Sequence, residues 1–185
     1  MGKRLFLSTL CCCSFLFSAN SQVRFAAIPE LSTGWAQTPD FGMGTKESAF
    51  HLGVGATIGV KEHSEELNAN VFVGAYVCED AYIFSTKFKH EDVSCTLSSY
   101  SFGANALARH DNGLTWGATV GYKLWSSASV DGDDYDIDME SNITNSLVSK
   151  LKVGYGWKHV LLLLEGGTDG GAVAGLNIAF PIYKD

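Results

Sequence analysis

The chain has 185 residues with a formal net charge of −7, 20 glycines against 3 prolines, and 46% hydrophobic residues. Such an acidic chain, with no basic stripe to displace counterions, excludes nucleic acid as a partner. Of five cysteines, three are adjacent at positions 11–13 in the expected leader; the two left, Cys78 and Cys95, do not make a disulfide framework.

Met1-Gly2-Lys3-Arg4 sets two cations ahead of an apolar stretch over 5–17, and small residues follow at Ala19 and Ser21. This is the layout of a cleavable signal peptide over 1–21, cut after Ser21. The apolar stretch is too short to span a membrane as a helix. Ser8-Thr9-Leu10 lacks the small residue that precedes a lipidated cysteine. Past the cut, no uninterrupted apolar run exceeds 160–164, so no membrane-spanning helix is expected there. Residues 22–47, with Pro29, Gly34 and Pro39, alternate poorly. They read as a lead-in or as a plug for a lumen, with an extra strand pair as the alternative.

From residue 48 to 185 the apolar residues repeat every second position, the signature of strands with one greasy face. In 49–60, Phe50, Leu52, Val54, Ala56, Ile58 and Val60 oppose His51, Gly53, Gly55, Thr57 and Gly59. The next segment sets Val71, Val73, Ala75 and Val77 against Asn70, Gly74 and Cys78, and a third sets Tyr82, Phe84 and Phe88 on the greasy face. A fourth carries Tyr100, Phe102, Ala104, Ala106 and Ala108; a fifth Leu114, Trp116, Ala118, Val120, Tyr122 and Leu124. The sixth carries Ile143, Leu147, Leu151, Val153, Tyr155 and Trp157, the seventh covers 160–165, and the eighth carries Ala172, Ala174, Leu176, Ile178, Phe180 and Ile182. Tight turns are expected at Glu79-Asp80, at His110-Asp111-Asn112-Gly113 and at Lys158-His159. Longer connections are expected at 61–66, 90–99, 126–141 and 166–171. Val93, Cys95 and Leu97 are out of phase with Tyr100 onward, which implies a bulge at Ser98-Ser99.

The expected fold is therefore all-β: an antiparallel up-and-down transmembrane β-barrel of about eight strands. A soluble barrel would show the same alternation, but its second face would carry many charges. Here that face is mostly Gly, Ser, Thr and Asn, which suits a narrow lumen. Aromatics near strand ends suit two membrane interfaces: Phe50, Tyr82, Trp116, Tyr155, Trp157 and Phe180 toward one rim, Tyr100, Phe102 and Tyr122 toward the other.

In this pattern the stretch from Ser48 to Tyr183 resembles the small eight-stranded outer-membrane proteins, the group of outer-membrane proteins A and X. The closing GLNIAFPIYKD resembles that group's C-terminal assembly signal through Leu176, Ile178, Phe180 and Ile182, but departs from it by ending on Lys184-Asp185. The resemblance implies an outer-membrane location, outer-membrane lipids and lipopolysaccharide as surroundings, and a structural or surface-interaction role. A narrow pore for small solutes and a soluble exported ligand-binding barrel are the alternatives.

No enzymatic constellation stands out: His63 beside Ser64 and Glu62, and His90 beside Glu91 and Asp92, have only the acidic neighbours usual in polar loops. No catalytic residue and no cofactor is assigned. The one metal candidate is Ca²⁺ at Asp134, Asp136, Asp138 and Glu140, which share a face if extended, although the sixth-position glycine of an EF-hand is missing. The same acidic loop, 126–141, is the place for host or surface ligands. Lys87, Lys89, Arg109, Lys123, Lys150 and Lys152 are expected in the lumen with Glu165 as the nearby acid, so carboxylates of Glu30, Asp40 or Glu47 are candidates to enter. The inward glycines are expected to leave unfilled volume. Cys78 and Cys95 are expected near opposite ends, unbridged.

Overall fold

The computed structural model describes residues 24–39, 46–88, 91–131 and 145–183. The expected signal peptide over 1–21 lies outside them, as do Asp40, Lys89, His90, Ile143 and the four Ca²⁺ candidates Asp134, Asp136, Asp138 and Glu140.

Antiparallel strands follow one another around a closed wall: β1 (Arg24–Gln37), β2 (Ser48–Ser64), β3 (Ala69–Phe88), β4 (Glu91–His110), β5 (Leu114–Asp131), β6 (Ser146–Gly156), β7 (Leu161–Asp169), β8 (Ala172–Ala179) and the short β9 (Ile182–Tyr183). β8 and β9 form one stave interrupted at Phe180-Pro181, and β1 pairs with both this stave and β2. The chain is thus an eight-stranded, up-and-down antiparallel barrel, and closure removes every sheet edge from the wall. Following the register once around returns to β1 about ten residues from the start, which tilts the staves by roughly 35–45°.

The count of eight agrees with the alternation, but two staves differ from it. Residues 24–37, expected as lead-in or plug, form β1 and close the barrel through Leu31↔Val54 on one side and Leu31↔Ile178 on the other. Alternation is present there, with Ala26, Ile28, Glu30, Ser32 and Ala36 buried and Phe25, Leu31 and Trp35 exposed. Glu30 on the inner face and Pro29 on the outer hide it. Conversely, Glu79-Asp80 is not a turn. Residues 69–88 are one strand, in which Asp80 pairs with Gly53 and Ser99. Phase is kept through it, so Tyr82 and Phe84 point inward and Ile83 outward, the reverse of the expected faces.

The irregularity near Ser98-Ser99 is real, but the extra residue is Ser126 on β5, because Ser98 pairs with Ser127 and Ser99 with Trp125. Val93, Cys95 and Leu97 stay in phase and are buried inside. Connections join the staves at two rims. One rim holds the turns at 65–68, 111–113 and 157–160 with the start of β1 and the end of β9; at the other lie the ends of β1, β3, β5 and β7 and the starts of β2, β4, β6 and β8. The expected longer connection at 61–66 is mostly the end of β2 and belongs to the first rim. At the second turn, Gly113 at φ +91° donates to His110 O and Leu114 N bonds Asn112 Oδ1, so the Asn-Gly pair forms the tight hairpin expected of it.

If β1 is a stave, deleting residues 24–37 abolishes the barrel, read as loss of the β-sheet circular dichroism signal and of protease resistance. A plug would leave both intact on removal.

Candidate functional site: the filled lumen

Each stave alternates, so every second side chain enters a lumen only wide enough for side chains to fill it. The glycines do not leave space there. Gly59 faces Gly74, Gly103 faces Gly121 and Gly34 faces Gly175 across strand pairs. A Cβ added at Gly59 would lie 2.4 Å from the Gly74 Cα. Glycine here lets neighbouring backbones approach closely, which corrects the expectation of unfilled volume.

The inner face is layered. Toward the turn rim, Ala26, Ile28, Phe72, Leu107, Leu161, Leu163 and Ala179 form one apolar cluster with Tyr183 against it. Toward the other rim, Ala36, Ala49, Tyr82, Phe84, Cys95, Leu97 and Val173 form a second, with Trp125 packed on it. Between these seals lie the charges.

Asp80, 1% exposed, is the centre of the upper group. Its Oδ1 meets His51 Nε2 at 2.7 Å and accepts from Cys78 Sγ at 3.3 Å. Its Oδ2 meets Lys123 Nζ at 3.1 Å and accepts from Ser101 Oγ at 3.0 Å. Lys123 also reaches Asp169 Oδ1 at 2.6 Å and donates to the Tyr82 hydroxyl, which in turn donates to Asp169 Oδ2 at 2.9 Å. Lys150 bridges Asp169 at 3.3 Å and Glu165 at 3.6 Å. The lower group centres on Glu30: Lys152 Nζ lies 2.6 Å away, Asn177 Nδ2 donates at 2.8 Å and Thr57 Oγ1 at 3.3 Å. Asn105 donates to Thr57 at 2.8 Å and accepts from Thr119 at 3.0 Å. Asn177, within 3.4 Å of Glu165, joins the two groups.

Of the expected lumen cations, Lys123, Lys150 and Lys152 are buried there, Arg109 is half-buried near the turn rim and Lys87 is exposed. Of the expected entering acids, Glu30 is present, but as a strand residue; Glu47 lies at the opposite rim, accepting from Thr86 at 3.2 Å. Sequence reasoning missed Asp80 and Asp169, having placed both in connections. The signal that finds them is stoichiometric: three buried ammonium groups require more acid than Glu165 alone. His63 lies exposed at the end of β2, and free Cys78 and Cys95 are both buried.

His51, Asp80 and Asp169 bring ligand-type atoms within 4.8 Å of one another. Lys123 occupies the charge position between the two carboxylates, so the donor set is already neutralised from within the chain. No family model and no curated protein sequence matches this chain. What its fold and interior define is a closed eight-stranded barrel whose core is ionic in the middle and apolar at both ends.

Breaking one buried pair leaves its partner's charge uncompensated. Lys152→Met is expected to destabilise by about 3–5 kcal/mol, measured by urea unfolding. Adding Glu30→Gln should recover most of that loss. A double variant no better than the single would show that the pair is not the determinant.

Proposed function

We propose that this chain is a membrane-spanning barrel of an outer membrane, with a structural or surface-interaction role rather than that of a channel or an enzyme. The observation that carries the reading is the exterior. Among the described residues, outward side chains beside the β5 segment Leu114–Leu124 include one formally charged group, Glu79, while Glu62 lies near the turn-rim end of β2 and Lys87 and Asp92 lie beyond the band on the β3–β4 hairpin. The rest are apolar, aromatic or small, and many are open to the surroundings: Leu147 is 73% exposed, Leu151 71%, and Val54 and Leu164 64% each. Soluble monomers rarely expose contiguous apolar patches beyond a few hundred Å², and a soluble barrel turns its charges outward and its greasy face inward. This chain has the opposite arrangement.

The band has membrane dimensions. On β5, Leu114 to Leu124 rises about 25 Å at the strand tilt, the height of the apolar band on outer-membrane barrels. Exposed rings border it on both sides. Phe25, Trp116, Tyr155, Trp157 and Phe180 lie toward the turn rim, and Trp35, Phe50, Tyr100 and Tyr122 toward the other. Two of the expected placements change: Phe50 pairs with Trp35 at the second rim, and Tyr82 is inside. Aromatic girdles at both interfaces support the reading. By the same analogy the short turns face the periplasm, and the rim where β5 ends and β6 begins faces outward.

The filled lumen favours the structural role over the pore. Among the described residues, two apolar clusters flank a charge-paired middle, which argues against a hydrated path for an ion.

Two measurements test this. The full chain should float with phosphatidylcholine vesicles, show heat-modifiable gel mobility and give no stable conductance in planar bilayers; a chain that stays soluble overturns the membrane reading, and a steady conductance overturns the structural one. Val120→Lys, on the band near mid-height, should cost about 2–4 kcal/mol of folding stability in vesicles, against little change at exposed Lys87→Ala beyond the band.

A further inference from the structure

Glu79 is anomalous on such an exterior. It points outward from β3, between Val77 and Ala81 of its own strand, and pairs with Val54 on β2 and Tyr100 on β4. Ionisable groups in hydrocarbon are costly and are kept where a partner satisfies them. Lipid chains offer Glu79 no hydrogen-bond donor, and the nearest one on its own wall is the hydroxyl of Tyr100 at the border of the band.

We propose that the β3–β4 exterior is a two-fold interface between two copies of this chain, closed by reciprocal hydrogen bonds from the Tyr100 hydroxyl of each copy to the Glu79 carboxyl of the other. The inference rests on the membrane reading above. A two-fold axis along the bilayer normal keeps every residue at its own depth, so an interface of this kind must be self-complementary level by level. Glu79 and Tyr100 meet that condition: they are direct cross-strand neighbours on one face, acceptor beside donor, and Tyr100 is 52% exposed. The surface beneath them suits close approach of two walls. A shallow depression of about 460 Å³ is bordered by Val54, Ala56, Val77, Glu79, Tyr100 and Phe102. Ala75, Ala104 and Ala106 continue it toward the turn rim with small side chains, as at intramembrane contacts between protein surfaces. Phe102 beside Val77 forms a ridge that the same depression on a second copy accepts. The opposite wall has a depression of similar size, about 490 Å³ beside Trp116, Leu151, Val153 and Leu164, but its outward side chains are apolar and offer no acid beside a hydroxyl donor.

The test uses the full chain in phosphatidylcholine vesicles over a range of lipid-to-protein ratios, with flotation and heat-modifiable mobility read on every sample. Val77→Cys should crosslink as a homodimer with a short bis-maleimide, and Leu164→Cys should not. Glu79→Leu and Tyr100→Phe should each weaken the dimer tenfold or more. Glu79→Leu is the sharper variant, because it makes the wall more lipid-like: insertion is retained while a merely greasy contact would hold or tighten. Inserted protein that stays monomeric, dimers indifferent to both substitutions, or equal crosslinking at Leu164 overturns the interface and leaves the membrane reading standing. Protein that does not float overturns both.

Discussion

The barrel depends on neutralising charge inside a narrow lumen where the ionic side chains are buried. Asp80, Asp169, Glu165 and Glu30 stand against Lys123, Lys150 and Lys152, with His51 on Asp80, all of them buried. Taking such groups out of water costs several kcal/mol per ion, and only close pairing and further hydrogen bonds offset it. Every stave contributes at least one member: Glu30 from β1, His51 and Thr57 from β2, Asp80 and Tyr82 from β3, Ser101 and Asn105 from β4, Lys123 from β5, Lys150 and Lys152 from β6, Asp169 from β7, and Asn177 from β8. The requirement therefore acts on closure itself. Sliding any stave by one residue would turn its polar member toward the apolar exterior and leave a partner unpaired.

Other features of the wall follow. Pairs as close as 2.6 Å across the lumen require the staves to curve tightly, and facing glycines at 59 and 74, 103 and 121, and 34 and 175 permit it where a Cβ would strike backbone. The two apolar clusters flank the ion pairs on both sides, which strengthens each pair by lowering the effective dielectric around it. Tyr82 serves both layers: its ring packs in the upper cluster, tilted 5.2 Å from Trp125, and its hydroxyl binds Asp169.

The outward face was legible in the sequence because its positions are nearly all apolar, so from residue 49 to 60 and from 100 to 124 period two is nearly unbroken. The inward face was not, because its rule is pairwise. An acid inside a strand is acceptable only if a cation faces it from another stave, and no local window contains that cation. Asp80 next to Glu79 therefore looked like a turn, although one points in and the other out. Glu30 made a strand look like a lead-in for the same reason. Tyr82 and Phe84, large and aromatic, were assigned outward on hydrophobicity alone. Phase carried through from Val71 to Ile83 places them inside.

An interior so fully committed to itself restricts where this protein can act. A lumen ligand would have to break ion pairs and displace an apolar seal, losing on both terms, and the donor set at His51, Asp80 and Asp169 already holds an ammonium group. Recognition is left to the rims and to the wall. On the proposed reading of the wall as membrane-embedded, hydrophobicity cannot discriminate among partners, since every apolar surface in a bilayer resembles the lipid it displaces. A single polar position can, because satisfying it requires a donor at one depth. Glu79 beside Tyr100 is such a position, and the rigidity conferred by the paired interior holds it at a defined depth.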